Sequence, residues 1–190
     1  MPDQDGQLYI RFLKDGDREA FRELYEKYHE SLTVFVYKIV QNMADAEELM
    51  MDTFAILASG TARYKPRDDS SFKTWMYAIA ANRAKMRLRR HRPTVELDEG
   101  YIPEDILEHR QDGPEDIKLN DERNAALYRA LDNIAPGYRQ VLYLMYFEDM
   151  KPVDIAGVMH KSVRQVYDLT ARGKTALKEE LNRMGYSWDM

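Results

Sequence analysis

Seven Lys or Arg and no Asp or Glu lie between Phe72 and Arg92, in FKTWMYAIAANRAKMRLRRHR, within a chain whose formal charge is −5. Cations without acids suit phosphate neutralisation, and aromatic rings set among them can stack on unpaired bases. At 100° per residue, Tyr77 and Lys85 project to one side of a helix, with Lys73 beside them. Phe72, Trp75, Met76, Ile79 and Met86 fall together on the other side and are expected to pack inward. Trp75 therefore reads as core before it reads as a wedge between bases. Arg83 falls on the apolar side, so it either snorkels outward or sits at a bend near Asn82. A plain solvated face would explain the charge run taken alone.

A second motif points the same way. In MKPVDIAGVMHKSVRQVYDLTARGKTALKEEL, Pro152 suits a first helical position, and Ile155, Ala156 and Met159 give a short helix one apolar side. MHKS makes a tight turn. Ser162 with Gln165 three residues on forms a capping box that starts a longer helix at Val163. This is the helix-turn-helix pattern. Val163, Val166, Thr170 and Leu177 are expected to face the core, with Gly173 beside them. Arg164, Asp168, Arg172 and Thr175 are expected to face away, with Gln165 on the flank. Arg and Gln near the start of such a helix suit base edges, and Arg172 and Lys174 suit phosphates.

The elements that must carry these groups are helical. Phe21, Leu24, Tyr25, Tyr28, Leu32, Phe35, Val36 and Ile39 form one apolar stripe. DAEELMMDTFAIL follows, with Asp45 as expected N-cap and Leu49, Met50, Thr53, Phe54 and Leu57 on one face. ARYKPRDDSS reads as a loop, and Pro93 ends the cationic helix. From Thr94 to Glu122 eleven acids face only Arg110 and Lys118, in a stretch punctuated by Gly100, Pro103, Gly113 and Pro114. A further helical block runs from about 121 to 184, broken at APG (135–137) and MKP (150–152). The expected fold is all-α: two small helical domains, 1–92 and 121–190, joined by a flexible acidic linker at 93–120.

Composition narrows the function. The absence of cysteine excludes thiol catalysis and zinc sites built on Cys. The four histidines (29, 91, 109 and 160) are scattered, and no Gly-rich phosphate loop or catalytic carboxylate pair stands out, so no enzyme, metal or cofactor is expected. The start MPDQDG is not a secretory signal, and no apolar run approaches the ~18 residues of a membrane span. A soluble, cytoplasmic protein without membrane insertion is expected.

Four segments, in order, resemble bacterial RNA polymerase sigma factors of the extracytoplasmic-function type, which keep regions 2 and 4 of the sigma-70 family. GDREAFRELYEKYHESL resembles the family's opening helix, and DAEELMMDTF its Asp-Ala-Glu-Asp-Leu-x-Gln-Glu-x-Phe motif. FKTWMYAIAANRAKMRLRR resembles its Phe-x-x-Trp-Leu-x-x-Ile-Ala-x-Asn segment with a basic end. VDIAGVMHKSVRQVYDLTARGKTAL resembles its region 4 helix-turn-helix. The resemblance implies a transcription initiation factor that binds core RNA polymerase and promoter DNA. Asp45, Glu48, Leu49, Asp52 and Phe54 match positions that dock on polymerase, although Leu49 and Phe54 can equally be core. Tyr64, Lys65, Ser71, Lys73, Tyr77, Asn82, Arg83 and Lys85 match the segment that melts and captures the minus-ten strand. Ser162, Arg164, Gln165, Tyr167, Asp168, Arg172 and Lys174 match the reader of minus-thirty-five duplex. The resemblance also implies that an anti-sigma factor can hold the protein inactive.

Departures bear on these roles. Met51 stands where the family has Gln, removing one polar polymerase contact. VYDLTARGK replaces a more basic run, so Tyr167, Asp168 and Leu169 separate this chain from the usual minus-thirty-five preference. Asp168 would repel phosphate but can accept a hydrogen bond from a cytosine amino group. Gly173 costs about 1 kcal/mol against Ala in a helix. The acidic linker either lies across the cationic helices as a phosphate mimic in the free protein or is a solvated spacer. The alternative function is a stand-alone helix-turn-helix regulator that binds duplex without polymerase.

Overall fold

Asp3 and Gly16 bracket a helix that no sequence motif announced. The Asp3 carboxylate accepts from the Gly6 N–H, and Gly16, at φ 69°, ends the helix in the left-handed region that glycine adopts without strain. The computed structural model describes residues 3–66, 71–91 and 122–186. Among these residues there are eight α-helices and no strand. The acidic linker expected at 93–120 lies outside the described residues.

The first half holds α1 (Gln4–Asp15), α2 (Arg18–Val40), α3 (Met43–Ala58) and α4 (Phe72–His91). Asp17 caps α2 by accepting from the Ala20 N–H. The α2 stripe is buried where its spacing requires, with Leu24, Leu32, Phe35 and Val36 sealed from solvent. Helix α3 begins earlier than expected. Its N-cap is Asn42, whose side chain accepts from the Asp45 N–H, so Asp45 sits inside the first turn, where negative charge is favourable. Leu49, Met50, Thr53, Phe54 and Leu57 are all buried, as their common face demands.

The second half holds α5 (Glu122–Asn133), α6 (Pro136–Tyr146), α7 (Pro152–Met159) and α8 (Val163–Arg183). Pro136 and Pro152 begin α6 and α7, where a missing N–H costs nothing. His160 closes α7 in the left-handed region at φ 56°. The capping box then opens α8: Ser162 Oγ accepts from the Gln165 N–H, and Gln165 Oε1 accepts from the Ser162 N–H. Gly173 lets α8 cross α6 closely, since a Cβ there would lie 3.2 Å from Tyr138 Cβ and 3.3 Å from Leu142 Cγ.

The two halves pack against each other and share one apolar core. Helix α4 is the sandwiched element, with α2 and α3 on one side and α7 on another. That placement explains why its faces do not sort by simple periodicity. Phe72, Thr74, Met76, Tyr77, Ala80, Ala81 and Ala84 are buried, whereas Met86, expected inward, is exposed. Small alanines fill the close contacts where a one-sided helix would carry large side chains.

Candidate nucleic-acid interfaces

Helix α8 presents an outward face built from its cap onward. Val166, Leu169, Thr170 and Gly173 turn inward, and Thr170 Oγ1 donates to the Val166 carbonyl. Ser162, Arg164, Gln165, Tyr167, Asp168, Arg172 and Lys174 are exposed. Two expectations need correction. Val163 is exposed rather than inward, because it precedes the first turn that packs. Leu169 is core, so of the departing residues only Tyr167 and Asp168 are available at the surface. Tyr167 is more than half exposed, at 58%. Lys174 Nζ lies 5.2 Å over the Tyr146 ring, a cation–π contact that leaves the ammonium at the surface.

Helix α4 behaves differently. The expectation that Tyr77 points outward is overturned: its ring is sealed from solvent, packs 5.0 Å from Phe35, and its hydroxyl meets Ser31 Oγ at 2.9 Å. Burial, with the Glu148 carboxylate nearby, pushes its phenol well above the ordinary value. Helical phase placed Tyr77 opposite Phe72 and Met76, and no single-helix count can see a second layer on that side. Lys73 Nζ donates to the Glu148 carbonyl and pairs with Glu148 Oε2, both at 2.8 Å. Lys85 Nζ donates to the Met159 carbonyl at 3.3 Å. Burial, with Lys161 and Arg89 close by, lowers its pKa. Asn82 Oδ1 meets His160 Nε2 at 3.0 Å. Ser71 Oγ caps the start of α4 by accepting from the Thr74 N–H.

Tyr64 is half-buried, its ring 5.0 Å from Trp75, and burial near Asp3 pushes its phenol up to about 12. Lys65 is exposed. Trp75 is partly buried against the rings of Tyr9 and Phe72, and it also lines an open cleft with Arg63, Lys65 and Gly157. It is thus both core and rim.

Three acids of α3, Asp45, Glu48 and Asp52, are engaged within the first half. Arg83, whose sequence position left two readings open, reaches out of the apolar side and donates to Asp52 at 2.6 Å. Arg87 donates to Asp45 and to Glu48. Leu49 and Phe54 are 2% and 4% exposed, so both belong to the core rather than to an outer surface. Sequence reasoning missed the partners on the second half: Glu148, Asp154 and Asp132. Their only signal was acid type near helix starts and ends, which is common on any solvated surface.

The description "Sigma-70 region 2" matches residues 24–94, and "Sigma-70, region 4" matches residues 124–177. The RNA polymerase sigma-H factor of Pseudomonas aeruginosa is 30% identical over 186 residues, covering 94% of each chain. The ECF RNA polymerase sigma factor SigW of Bacillus subtilis is 26% identical over 178 residues, covering 90% of this chain and 94% of that one. Among solved structures, CnrH in complex with the cytosolic domain of CnrY is similar over 95% of this chain and 99% of that chain, with TM-score 0.66 at 19% identity. The sigma factor RpoE, in complex with the anti-sigma factor NepR from Bartonella quintana, is similar over 85% of this chain and 96% of that one, with TM-score 0.59 at 18% identity.

Proposed function

Because the chain belongs to the sigma-70 family of RNA polymerase sigma factors, in its extracytoplasmic-function branch, we propose a division of labour between its two cationic helices. Helix α8 reads minus-thirty-five duplex, and α4 with residues 64–71 captures the melted minus-ten strand. The protein is a promoter-specific transcription initiation factor. It acts on core polymerase from within the cytoplasm and has no catalysis of its own.

One observation carries the reading. A capped helix following a left-handed turn exposes Arg164, Gln165, Tyr167, Asp168, Arg172 and Lys174 along one face while its other face is core. Arg164 and Gln165, in the first turn, suit base edges; Arg172 and Lys174, further along, suit phosphates. Tyr167 adds an apolar body that can lie against a thymine methyl.

Asp45, Glu48 and Asp52 serve polymerase docking, with Leu49 and Phe54 holding α3 from behind. Their pairs with Arg83 and Arg87 do not oppose this. Asp52 and Glu48 are well exposed, at 39% and 59%, and pairs of that exposure are worth about 0–1 kcal/mol, which a partner's cations can replace. An anti-sigma factor is a further partner by analogy with the relative solved with one.

Transcription in vitro with core polymerase and a promoter library tests the function. Productive templates are expected to share two short elements at fixed spacing. Tight duplex binding without polymerase, and no polymerase-dependent transcripts, would instead favour the stand-alone regulator.

A further inference from the structure

Asp3 starts two helices at once. Its Oδ1 accepts from the Gly6 N–H at 3.0 Å and so caps α1. Both of its carboxylate oxygens also accept from the Phe72 N–H, at 3.3 and 3.1 Å. Phe72 is the first residue of α4 and lies 69 positions further along the chain. The first N–H groups of a helix have no partner within it. Ser71 Oγ serves that of Thr74, and Asp3 serves that of Phe72, where a negative charge also meets the favourable end of the helix dipole.

Tyr9, further along α1, holds the other end of the same stretch. It is sealed from solvent, and its hydroxyl donates to the Leu57 carbonyl in the last turn of α3 at 3.0 Å. Its ring lies 5.8 Å from Tyr64, 5.1 Å from Phe72 and 5.5 Å from Trp75. Leu13 Cδ2 stands 3.3 Å from where a Cβ on Gly60 would lie, and Gly60 turns the chain out of α3 at φ 64°.

We propose that α1 is the frame that sets both ends of the strand-capturing segment, with Asp3 as a positioning residue for minus-ten selectivity. The segment begins at Tyr64 and ends at Ser71, beside Phe72, and both ends are tied to the same helix. A rigid element that holds both ends of a loop fixes their separation and angle, which a base-reading segment requires. Asp3 acts through Phe72, and Tyr9 acts through Tyr64, so neither has to touch a base. Helix α1 precedes residues 24–94, the part of the chain that matches sigma-70 region 2. The frame stands on these contacts; its consequence for selectivity rests on the role of residues 64–71 proposed above.

Three variants of the full chain test it. Asp3→Ala removes the acceptor at Phe72, and Asp3→Asn keeps an oxygen there. Asp17→Ala is the matched control, because it removes the cap of α2 and a surface pair with Arg11 without touching α4. Amide hydrogen exchange at Phe72, followed by NMR, is expected to quicken about tenfold in Asp3→Ala and to stay near wild type in the other two. Unchanged exchange at Phe72 in Asp3→Ala overturns the frame.

Transcription with core polymerase from single-base variants of one productive promoter then reads selectivity. Asp3→Ala is expected to compress discrimination across the minus-ten element about fivefold, with minus-thirty-five discrimination intact and Asp3→Asn restoring the loss. Equal compression at both elements, the same loss in Asp17→Ala, or no compression at all makes Asp3 a merely structural cap and overturns its positioning role. If the wild-type chain itself ignores the minus-ten bases, the role given to residues 64–71 fails and the selectivity role of Asp3 with it. The exchange result at Phe72 still decides the frame.

Discussion

Arg164 and Lys174 sit on the same exposed face of α8, yet they are expected to fail differently when removed. Arg164 leaves the first turn, where a guanidinium can bridge two acceptors on a guanine. Arg164→Ala should therefore cost roughly 1–3 kcal/mol and relax preference at one base position, measured by transcription from a set of single-base promoter variants. Lys174 lies almost three turns further on, at a position proposed above to meet phosphate as a point charge. Lys174→Ala should weaken all promoters alike and reduce the salt dependence by about one counterion. If Arg164→Ala also weakened every promoter alike, Arg164 would be a phosphate contact. Tyr77 gives the opposite lesson. Its hydroxyl is used inside the protein, against Ser31, so Tyr77→Phe should lower stability by about 1 kcal/mol in a denaturant titration.

At the scale of elements, Gly173 separates propensity from packing. Replacing glycine with alanine in a helix ordinarily gains about 1 kcal/mol. Here the new methyl would meet Tyr138 Cβ at 3.2 Å and Leu142 Cγ at 3.3 Å, and the first of these is fixed to the α6 backbone. Overpacking of that kind typically costs 1–3 kcal/mol. Gly173→Ala is thus expected to lower the denaturant midpoint of the full chain, and a rise would mean that α6 yields. The glycine that looked in the sequence like a weakness is what allows two helices to cross. The same contrast decides what was legible beforehand. The α2 stripe, the α3 face, the breaks at Pro136 and Pro152 and the capping box at Ser162 depend on neighbours within one or two turns, and each appears where its residues predict. Tyr77, Met86 and the Lys73–Glu148 pair depend on a second layer joined through residues 92–121, so no local period encodes them. The N-cap of α3 moved from Asp45 to Asn42 because both residue types cap well, and only backbone geometry decides between them. The outward face of α8 was readable because no helix among the described residues covers it.

Across the whole molecule, buried phenols bind the two halves to one pH limit. Burial pushes Tyr9 and Tyr64 up to about 12 from an ordinary 10. Tyr28, Tyr77 and Tyr143 are raised too, each chiefly by burial, with Asp5 acting on the first and Glu148 on the other two. A folded-state pKa above the unfolded one means that folding favours the protonated phenol. The stabilisation is complete below pH 10 and drains away as pH climbs from 10 towards and beyond 12, since the unfolded chain gives up those protons first. Tyr77 and Tyr143 both lie near Glu148 at the junction, so ionising either would place a second negative charge beside a carboxylate already paired with Lys73. The halves are therefore expected to separate on the alkaline side before the first-half bundle melts. Alkylation of a sole thiol introduced as Thr74→Cys, buried at the junction, should accelerate at a lower pH than the loss of helical circular dichroism. A second variant, Thr53→Cys, whose thiol lies in the α3 core, corrects for thiolate fraction. Tyrosinate absorbance should rise in two steps, the first together with alkylation at position 74. Coincident transitions would mean that the junction and the bundle unfold as one unit.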